Sequence, residues 1–130
     1  MKPKTPESPS NSQSNEIEQI TSLLRSFAAE RDWEQFHTPK NLIMALTGEV
    51  GELSELFQWL SAEQVASAVQ KADFLDNVRD EIADVAAYVF RLADVLGVDL
   101  GQAMRAKIAK NAQKYPVDKA KGHARKYSEL

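Results

Sequence analysis

Two long stretches of helical hydrophobic spacing constrain the fold of this chain more than any other feature. Across residues 39–60 (the first long stretch) and 73–96 (the second), apolar side chains recur every three or four residues, which is the period of an α-helix. Only five glycines and five prolines occur among the 130 residues, so little interrupts these patterns. We therefore predict an all-α fold, a bundle of four or five helices, and the long amphipathic helices of so small a chain favour self-association.

Capping signals place the ends of the other helices. Thr38 before Pro39 is a helix start, Ser61 with Gln64 has the spacing of a capping box, and Asp99 with Gln102 repeats that spacing. Gly97 suits a helix end, and Pro116 ends the last helix. Together these signals predict helices over 15–31, 39–60, 61–70, 73–96 and from 99 to 115.

Residues 1–14 have a different composition, rich in proline, serine and asparagine, and we predict a disordered tail there. The helical domain is then expected to span 15–130, with a basic and irregular segment over 119–130. The net charge of −3 argues against nucleic-acid binding as the main function. The chain has no cysteine, no apolar run long enough for a membrane span and no signal-peptide pattern, so we expect a soluble cytoplasmic protein without a membrane partner.

An acidic residue lies within the apolar face of each long stretch. On a helical wheel, Glu49 falls inside the roughly 140° apolar arc of the first stretch, and Glu81 falls inside the arc of the second. Glu52 and Asp84 follow three residues later at the arc edges, so each acid pair can converge on one point. The other acids of these stretches are predicted to point away from the arcs: Glu55, Asp80 and Asp94.

Four carboxylates close to an apolar core need a positive partner, because buried like charges are strongly destabilising. Oxygen ligands without histidine or cysteine suit Mg²⁺ or Mn²⁺ rather than zinc. A di-iron site of the ferritin type would need Glu-x-x-His, which neither pair provides. We therefore expect these four residues to hold Mg²⁺, with Mn²⁺ as the other suitable ion: Glu49, Glu52, Glu81 and Asp84.

The alternative is ordinary ion pairing. A single Glu-x-x-Glu pair is common on solvated helix faces, and Lys107 or Arg79 could neutralise the acids. The protein would then be a non-catalytic helical interaction module whose acids form salt bridges across a dimer interface.

The acid pairs and the segments around them carry a family resemblance. Glu49-Val-Gly-Glu52 and Glu81-Ile-Ala-Asp84 look like the two acidic motifs of the MazG-type all-α nucleoside triphosphate pyrophosphohydrolases. Four segments are similar to the dCTP pyrophosphatase branch of that superfamily: 27–42, 48–59, 111–116 and 125–130. The resemblance covers roughly residues 16–130.

This resemblance implies an activity and an assembly. It implies hydrolysis of dCTP, or of a 5-modified dCTP, between the α- and β-phosphates, which gives dCMP and pyrophosphate and controls the nucleotide pool. The four acids would hold Mg²⁺, and helical dimers would pair into tetramers with sites built partly across the interface. A dUTP or phosphoribosyl-ATP pyrophosphohydrolase of the same superfamily is the alternative.

The resemblance also implies a substrate-binding set. Aromatic residues would form a pocket for the pyrimidine ring, and a loop over 33–37 would contact the substrate. Related proteins place a nucleotide-contacting histidine where this chain has Leu24. This chain therefore departs from the family at a position that is expected to affect base preference. The predicted substrate contacts are Trp33, Glu34, Gln35, Phe36, His37, Trp59, Tyr88, Lys107, Asn111 and Lys114.

The chemistry of phosphoanhydride hydrolysis agrees with this reading. Water attack requires neutralised phosphate oxygens and an oriented nucleophile, and carboxylate-held Mg²⁺ can provide both. We expect Glu49 or Glu52 to take the proton of the attacking water. Aromatic faces beside such a site would stack a base. The candidates for further phosphate neutralisation are Lys107, Lys114, Arg125 and Lys126.

Overall fold

The computed structural model describes residues 15–130, and its regular secondary structure over that range is entirely helical, which confirms the predicted fold class. The tail predicted at 1–14 lies outside the described residues. The α-helices are α1 (Glu16–Glu30), α2 (Pro39–Glu55), α3 (Ala62–Ala68), α4 (Ala72–Val95), α5 (Leu100–Lys114) and α6 (Val117–Ala120). Single 3-10 turns lie at Glu34–Phe36 and Tyr127–Glu129.

The predicted caps begin three of these helices. Thr38 and Asp99 each accept the backbone N–H three residues further on, at 3.3 Å and 3.0 Å. Ser61 Oγ accepts the Gln64 N–H at 3.2 Å, and Gln64 Oε1 accepts the Ser61 N–H at 2.8 Å, which completes a capping box. These local signals therefore fix the starts of α2, α3 and α5.

The end of α2 differs from the prediction, because the helix stops at Glu55 rather than continuing to Leu60. Ser61 must adopt an extended backbone, with ψ 165°, to cap α3, so the chain leaves the helical path before it. Phe57 turns away and packs its ring edge-on against Phe74, with the ring centroids 5.6 Å apart. Trp59 therefore lies beyond the end of α2 rather than inside it, and its side chain is 86% exposed.

α4 ends at the predicted glycine. Gly97 has a φ of 68°, and its N–H donates to the carbonyl of Asp94 at 3.1 Å. The next N–H, from Val98, donates to the carbonyl of Ala93 at 2.8 Å. This pair of bonds is a Schellman motif, which requires a residue that tolerates the left-handed region.

α4 is the central helix of the described chain, since it packs extensively against both α2 and α1. Each of the three helices contributes one buried apolar side chain: Ala28 from α1, Leu42 from α2 and Val78 from α4. The two helices that carry the acid pairs therefore lie side by side. That arrangement is what brings the pairs face to face.

The single copy leaves much apolar surface open. Among the described residues, only Ala28, Leu42 and Val78 are buried hydrophobic side chains. Large apolar side chains on the long helices are exposed, including Met44 at 65% and Ile108 at 65%. A chain of this length normally buries a larger core. The exposed apolar surface of the single copy is therefore typical of a protein–protein interface rather than of a solvent-facing surface.

The C-terminal segment folds back on the end of α5. α6, which was not predicted, follows Pro116 directly, and residues 121–126 contain no helix. The rings of Tyr115 and Tyr127 meet edge-on at 6.2 Å, and Lys114 Nζ lies 4.8 Å from the Tyr127 ring centroid. None of the described helices has the length and apolarity needed to cross a membrane.

Candidate active site

Three of the four predicted acids form one cluster between α2 and α4. Carboxylate oxygens of Glu49, Glu52 and Glu81 all lie within 4.8 Å of one another. Asp84, one turn after Glu81, lines the adjoining pocket, and its charge acts on both Glu49 and Glu81. The sequence pattern therefore identified the cluster, and the structure places Asp84 at its border with the pocket.

Two oxygens of this cluster are buried without a hydrogen-bond partner among the described residues, Glu49 Oε2 and Glu81 Oε2. Burial first, and then contact with Glu52, raises the pKa of Glu49 to about 7. Burial and the charges of Glu52 and Asp84 likewise raise the pKa of Glu81. The site thus disfavours its own negative charges, which a bound cation would offset.

Ion pairing within the copy does not neutralise this cluster. Arg79 pairs with Asp76 at 2.9 Å on the exposed face of α4. Lys107 forms no ion pair with any acid of the described chain. The cluster contains carboxylate oxygens without hydrogen-bond partners and no nitrogen or sulfur ligand. Such a ligand set suits a hard divalent cation such as Mg²⁺ or Mn²⁺.

Asp94 contradicts its predicted position, because its side chain is only 15% exposed. It accepts from Arg91 Nη1 at 3.0 Å and from Arg25 Nε and Nη2 at 3.0 Å and 2.6 Å. The helical wheel assigned α4 a single buried face, whereas α1 packs against a second face of this helix. Arg25 of α1 forms its ion pair with Asp94 at that contact.

A pocket of about 280 Å³ opens beside the acid cluster. Three of the predicted substrate contacts, Trp33, His37 and Tyr88, line it together with Asp84 and the departure position Leu24. Phe27, Ala28, Ala87 and Arg91 complete the lining. Its wall is mainly apolar and aromatic, with a few polar groups, as in small-molecule sites generally.

The end of α1 places Trp33 in this pocket. Asp32 adopts a left-handed φ of 56°, and its N–H donates to the carbonyl of Ala29 at 3.1 Å. The Trp33 N–H then donates back to the carbonyl of Ala28 at 2.9 Å, which makes a second Schellman motif. This reversal returns the indole to α1, where it meets Phe27 edge-on at 5.8 Å.

Several predicted contacts do not line the pocket of their own copy. Phe36 and Trp59 are exposed, at 59% and 86%. Gln35 Nε2 donates to the carbonyl and carboxylate of Asp32, inside the loop. The others outside the pocket lining are Glu34, Lys107, Asn111, Lys114, Arg125 and Lys126.

Arg91 is the charged residue of the pocket lining that was not anticipated. It is 7% exposed, and its Nε donates to His37 Nδ1 at 3.3 Å. Arg91 follows Tyr88 by three residues and Asp84 by seven, so all three share one face of α4. That spacing is the sequence signal that could have revealed it.

Known proteins are similar to this chain in sequence and in fold. A family model described as the MazG-like family matches residues 45–130. Proteins named dCTP pyrophosphatase 1 from Mus musculus and Homo sapiens are 46% and 44% identical to this chain over 114 residues, spanning 88% of this chain and 67% of each relative. The crystal structure of a pyrophosphatase from Archaeoglobus fulgidus superposes with a TM-score of 0.74 and 35% identity, covering 82% of this chain and 98% of that one.

Fold and site together define an all-α protein with an acidic cluster between two helices and an aromatic pocket next to it. The matched family model and the extent of these identities make the assignment specific. The chain belongs to the MazG-like family.

Proposed function

We propose that this protein is a Mg²⁺-dependent nucleoside triphosphate pyrophosphohydrolase that converts dCTP, or a 5-modified dCTP, to dCMP and pyrophosphate. The observation that carries the proposal is the cluster of Glu49, Glu52 and Glu81, with two orphaned buried oxygens, directly beside an aromatic pocket. The identity to proteins named dCTP pyrophosphatase 1 supports the choice of substrate.

The acids would hold the cation at the mouth of the pocket. Glu49, Glu52 and Glu81 are close enough to share one ion, and Asp84 is placed to contribute from the pocket side. A bound divalent cation neutralises phosphate oxygens and lowers the pKa of water. Mn²⁺ has similar oxygen preferences and is expected to substitute.

The two acids of α2 differ in exposure, which suggests separate roles. Glu49 Oε2 is inaccessible to solvent, which suits a residue committed to holding a cation. Glu52 is exposed, so a water molecule can approach its carboxylate. We therefore assign Glu52 as the group that orients the attacking water and accepts its proton, with Glu49 as a ligand.

The pocket would hold the base. The aromatic rings of Trp33 and Tyr88 provide stacking surfaces, and about 280 Å³ is a small volume that favours a single pyrimidine ring. Leu24 lies in the lining, where related proteins carry a histidine, so the base preference of this chain is set partly by an apolar contact.

A second copy is expected to complete the protein. The exposed apolar side chains of α2 and α5 would be covered by dimerisation, and dimers would pair into a tetramer. Exposed residues such as Trp59, Lys107 and Lys114 would then reach the pocket of the partner copy. Light scattering coupled to gel filtration tests this directly, because a monomer at micromolar concentration contradicts it.

Product analysis over a substrate panel tests the activity. Purified protein with Mg²⁺ is incubated with dCTP, 5-methyl-dCTP, CTP, dUTP and dTTP, and nucleotide products are separated by chromatography. We expect dCTP and its 5-methyl analogue to give monophosphate with the highest kcat/KM, and EDTA to abolish turnover. Preferential turnover of dUTP would support the related hydrolase instead.

Absence of turnover for every nucleotide, with a melting temperature unchanged by Mg²⁺, would support the helical interaction module with ion-paired acids. The expected lack of a nucleic-acid partner and the expected cytoplasmic location stay predictions.

A further inference from the structure

A chain of polar contacts leads from His37 through the buried Arg91 and Asp94 to the exposed Arg25. Arg91 Nε donates to His37 Nδ1 at 3.3 Å, and Arg91 Nη1 donates to Asp94 Oδ2 at 3.0 Å. Arg25 grips both oxygens of the same carboxylate, at 3.0 Å and 2.6 Å. The side chains of Arg91 and Asp94 are only 8% and 15% exposed. A buried pair of this kind is costly to assemble, so a role beyond stability is expected of it.

The contact with Arg91 determines the tautomer of His37. A guanidinium nitrogen can only donate, so Nδ1 must accept and cannot carry a proton. The neutral ring then carries its proton on Nε2. Burial first, and the positive charge of Arg91 second, hold the pKa of His37 below its ordinary value, which agrees with a neutral ring. Among the described residues, the hydrogen bonds of His37's ring involve Nδ1 alone.

The orientation of the ring is held from two sides. Trp33 packs against His37 with centroids 6.4 Å apart and planes at 60°, and Arg91 fixes the opposite edge. Arg91 itself cannot rotate without breaking its bond to Asp94. Within a mainly apolar pocket, His37 thus offers one oriented N–H donor.

We propose that Arg91 is a positioning residue for substrate binding: through its bond to Nδ1 it locks His37 as the Nε2–H tautomer, and His37 donates that N–H to an uncharged oxygen acceptor of the bound nucleoside. The proposal rests on the proposed function for the identity of the ligand. Asp94, anchored by Arg25, holds Arg91 in place. The acceptor is either the carbonyl oxygen of the pyrimidine or the 3′ oxygen of the sugar.

The tautomer is measured without any activity. Long-range ¹H–¹⁵N correlation spectra distinguish Nε2–H from Nδ1–H rings, and the chain has only two histidines, so His123→Gln assigns the spectrum. We expect the Nε2–H pattern for His37 at pH 8 in the wild type, and a mixture of tautomers in Arg91→Met. A Nδ1–H ring in the wild type, or an unchanged spectrum in Arg91→Met, overturns the proposal even if the enzyme is active.

The kinetic consequence has a matched control. Arg79, also on α4, forms an exposed pair with an aspartate three residues away, as Arg91 does in the interior. Arg91→Met should lower kcat/KM for dCTP by about tenfold, mainly through KM, which is the usual effect of one hydrogen bond to a ligand. Arg79→Met should leave it within about twofold.

A double-mutant cycle separates positioning from a merely structural role. Gln at position 37 carries its amide donor close to the place of Nε2 and has no tautomers, so the His37→Gln background should remove most of the Arg91→Met effect. Equal losses in both backgrounds would show that Arg91 acts independently of His37 and would refute the proposal. Measurement of the His37 tautomer in the wild type keeps the test informative if Arg91→Met folds poorly.

Two analogues identify the acceptor. The 2-thio analogue of dCTP weakens the acceptor on the base, and the 3′-deoxy analogue removes a sugar oxygen. The analogue whose kcat/KM no longer responds to Arg91→Met marks the atom that His37 contacts. If both analogues respond as strongly as dCTP does, no nucleoside acceptor is involved and the proposal fails.

Discussion

Replacement of Glu49 by glutamine should stabilise the metal-free protein, although the same change should abolish its activity. In the folded chain Glu49 lies beside Glu52 and Glu81, and burial together with these neighbours raises its pKa to about 7 from 4.5. The native state therefore holds the Glu49 proton more tightly than the unfolded chain does. The contribution of Glu49 to stability is therefore greatest below about pH 4.5, falls as the pH rises to about 7, and is constant above that pH.

The size of the effect follows from the two pKa values. A rise from 4.5 to about 7 corresponds to about 3.5 kcal/mol at pH 8, at about 1.4 kcal/mol per pKa unit. Solvent contact with the rest of the side chain screens the repulsion, so we expect about 1–2 kcal/mol. For a domain of this size that is a rise in Tm of roughly 5 °C.

The assay is calorimetric unfolding in EDTA at pH 5 and pH 8, at one fixed protein concentration, because self-association makes Tm concentration-dependent. Glu55→Gln is the matched control, since it removes an exposed carboxylate from the same helix. Glu49→Gln should exceed the wild type in Tm at pH 8 and approach it at pH 5, whereas Glu55→Gln should match the wild type at both. Saturating Mg²⁺ should raise the wild type more than Glu49→Gln. A lower Tm for Glu49→Gln in EDTA at pH 8 would contradict this expectation, because it would mean that the carboxylate is paired with a cationic side chain.

Three further changes test separate parts of the structure. Trp33→Ala should raise KM for dCTP by about 10- to 100-fold, the loss of one stacking surface, and Trp33→Phe should recover most of it; an unchanged KM in steady-state assays would remove Trp33 from the base pocket. Leu24→His should change the ratio of kcat/KM values for dCTP and 5-methyl-dCTP, because residue 24 lines the pocket; an identical ratio would show that this position does not contact the base. Ser61→Ala should lower the unfolding free energy by about 1 kcal/mol through loss of the α3 cap, without a change in KM; a change of KM in the same variant would mean that the turn before α3 supports the site.

The sequence predicted those features that depend on local periodicity and capping. Glu49 and Glu81 were found because each carboxylate interrupts an apolar helical arc, and a wheel represents such arcs well inside a regular helix. Ser61 and Gly97 were found because a cap is a property of a few adjacent residues. These features hold whichever helices later pack together.

Features that depend on tertiary packing were missed. The stop at Glu55 follows from the cap of α3 and from the contact between Phe57 and Phe74, neither of which shows in the periodicity of α2. Asp94 was predicted to point away from the apolar arc, and Arg91 was not singled out. Charged residues are rarely buried unless paired, and the pairing here depends on how α1 packs on α4.

The chain reversal after α1 was not predicted, because it has no clear local signal in the sequence. Asp32 takes a left-handed backbone without the glycine that usually announces one, so the reversal that carries Trp33 into the pocket had no clear sequence signal. Trp59 was placed within a helix over 39–60, but it lies beyond the true end of α2 and is exposed.

The most direct test of the proposed activity follows the phosphorus atoms of dCTP by ³¹P nuclear magnetic resonance during incubation with the wild-type protein and Mg²⁺. Cleavage between the α- and β-phosphates produces dCMP together with pyrophosphate, and we expect these two signals to grow in step, in Glu55→Gln as in the wild type, and not in Glu49→Gln. Growth of orthophosphate and dCDP signals, or equal turnover by Glu49→Gln, would contradict the proposed activity.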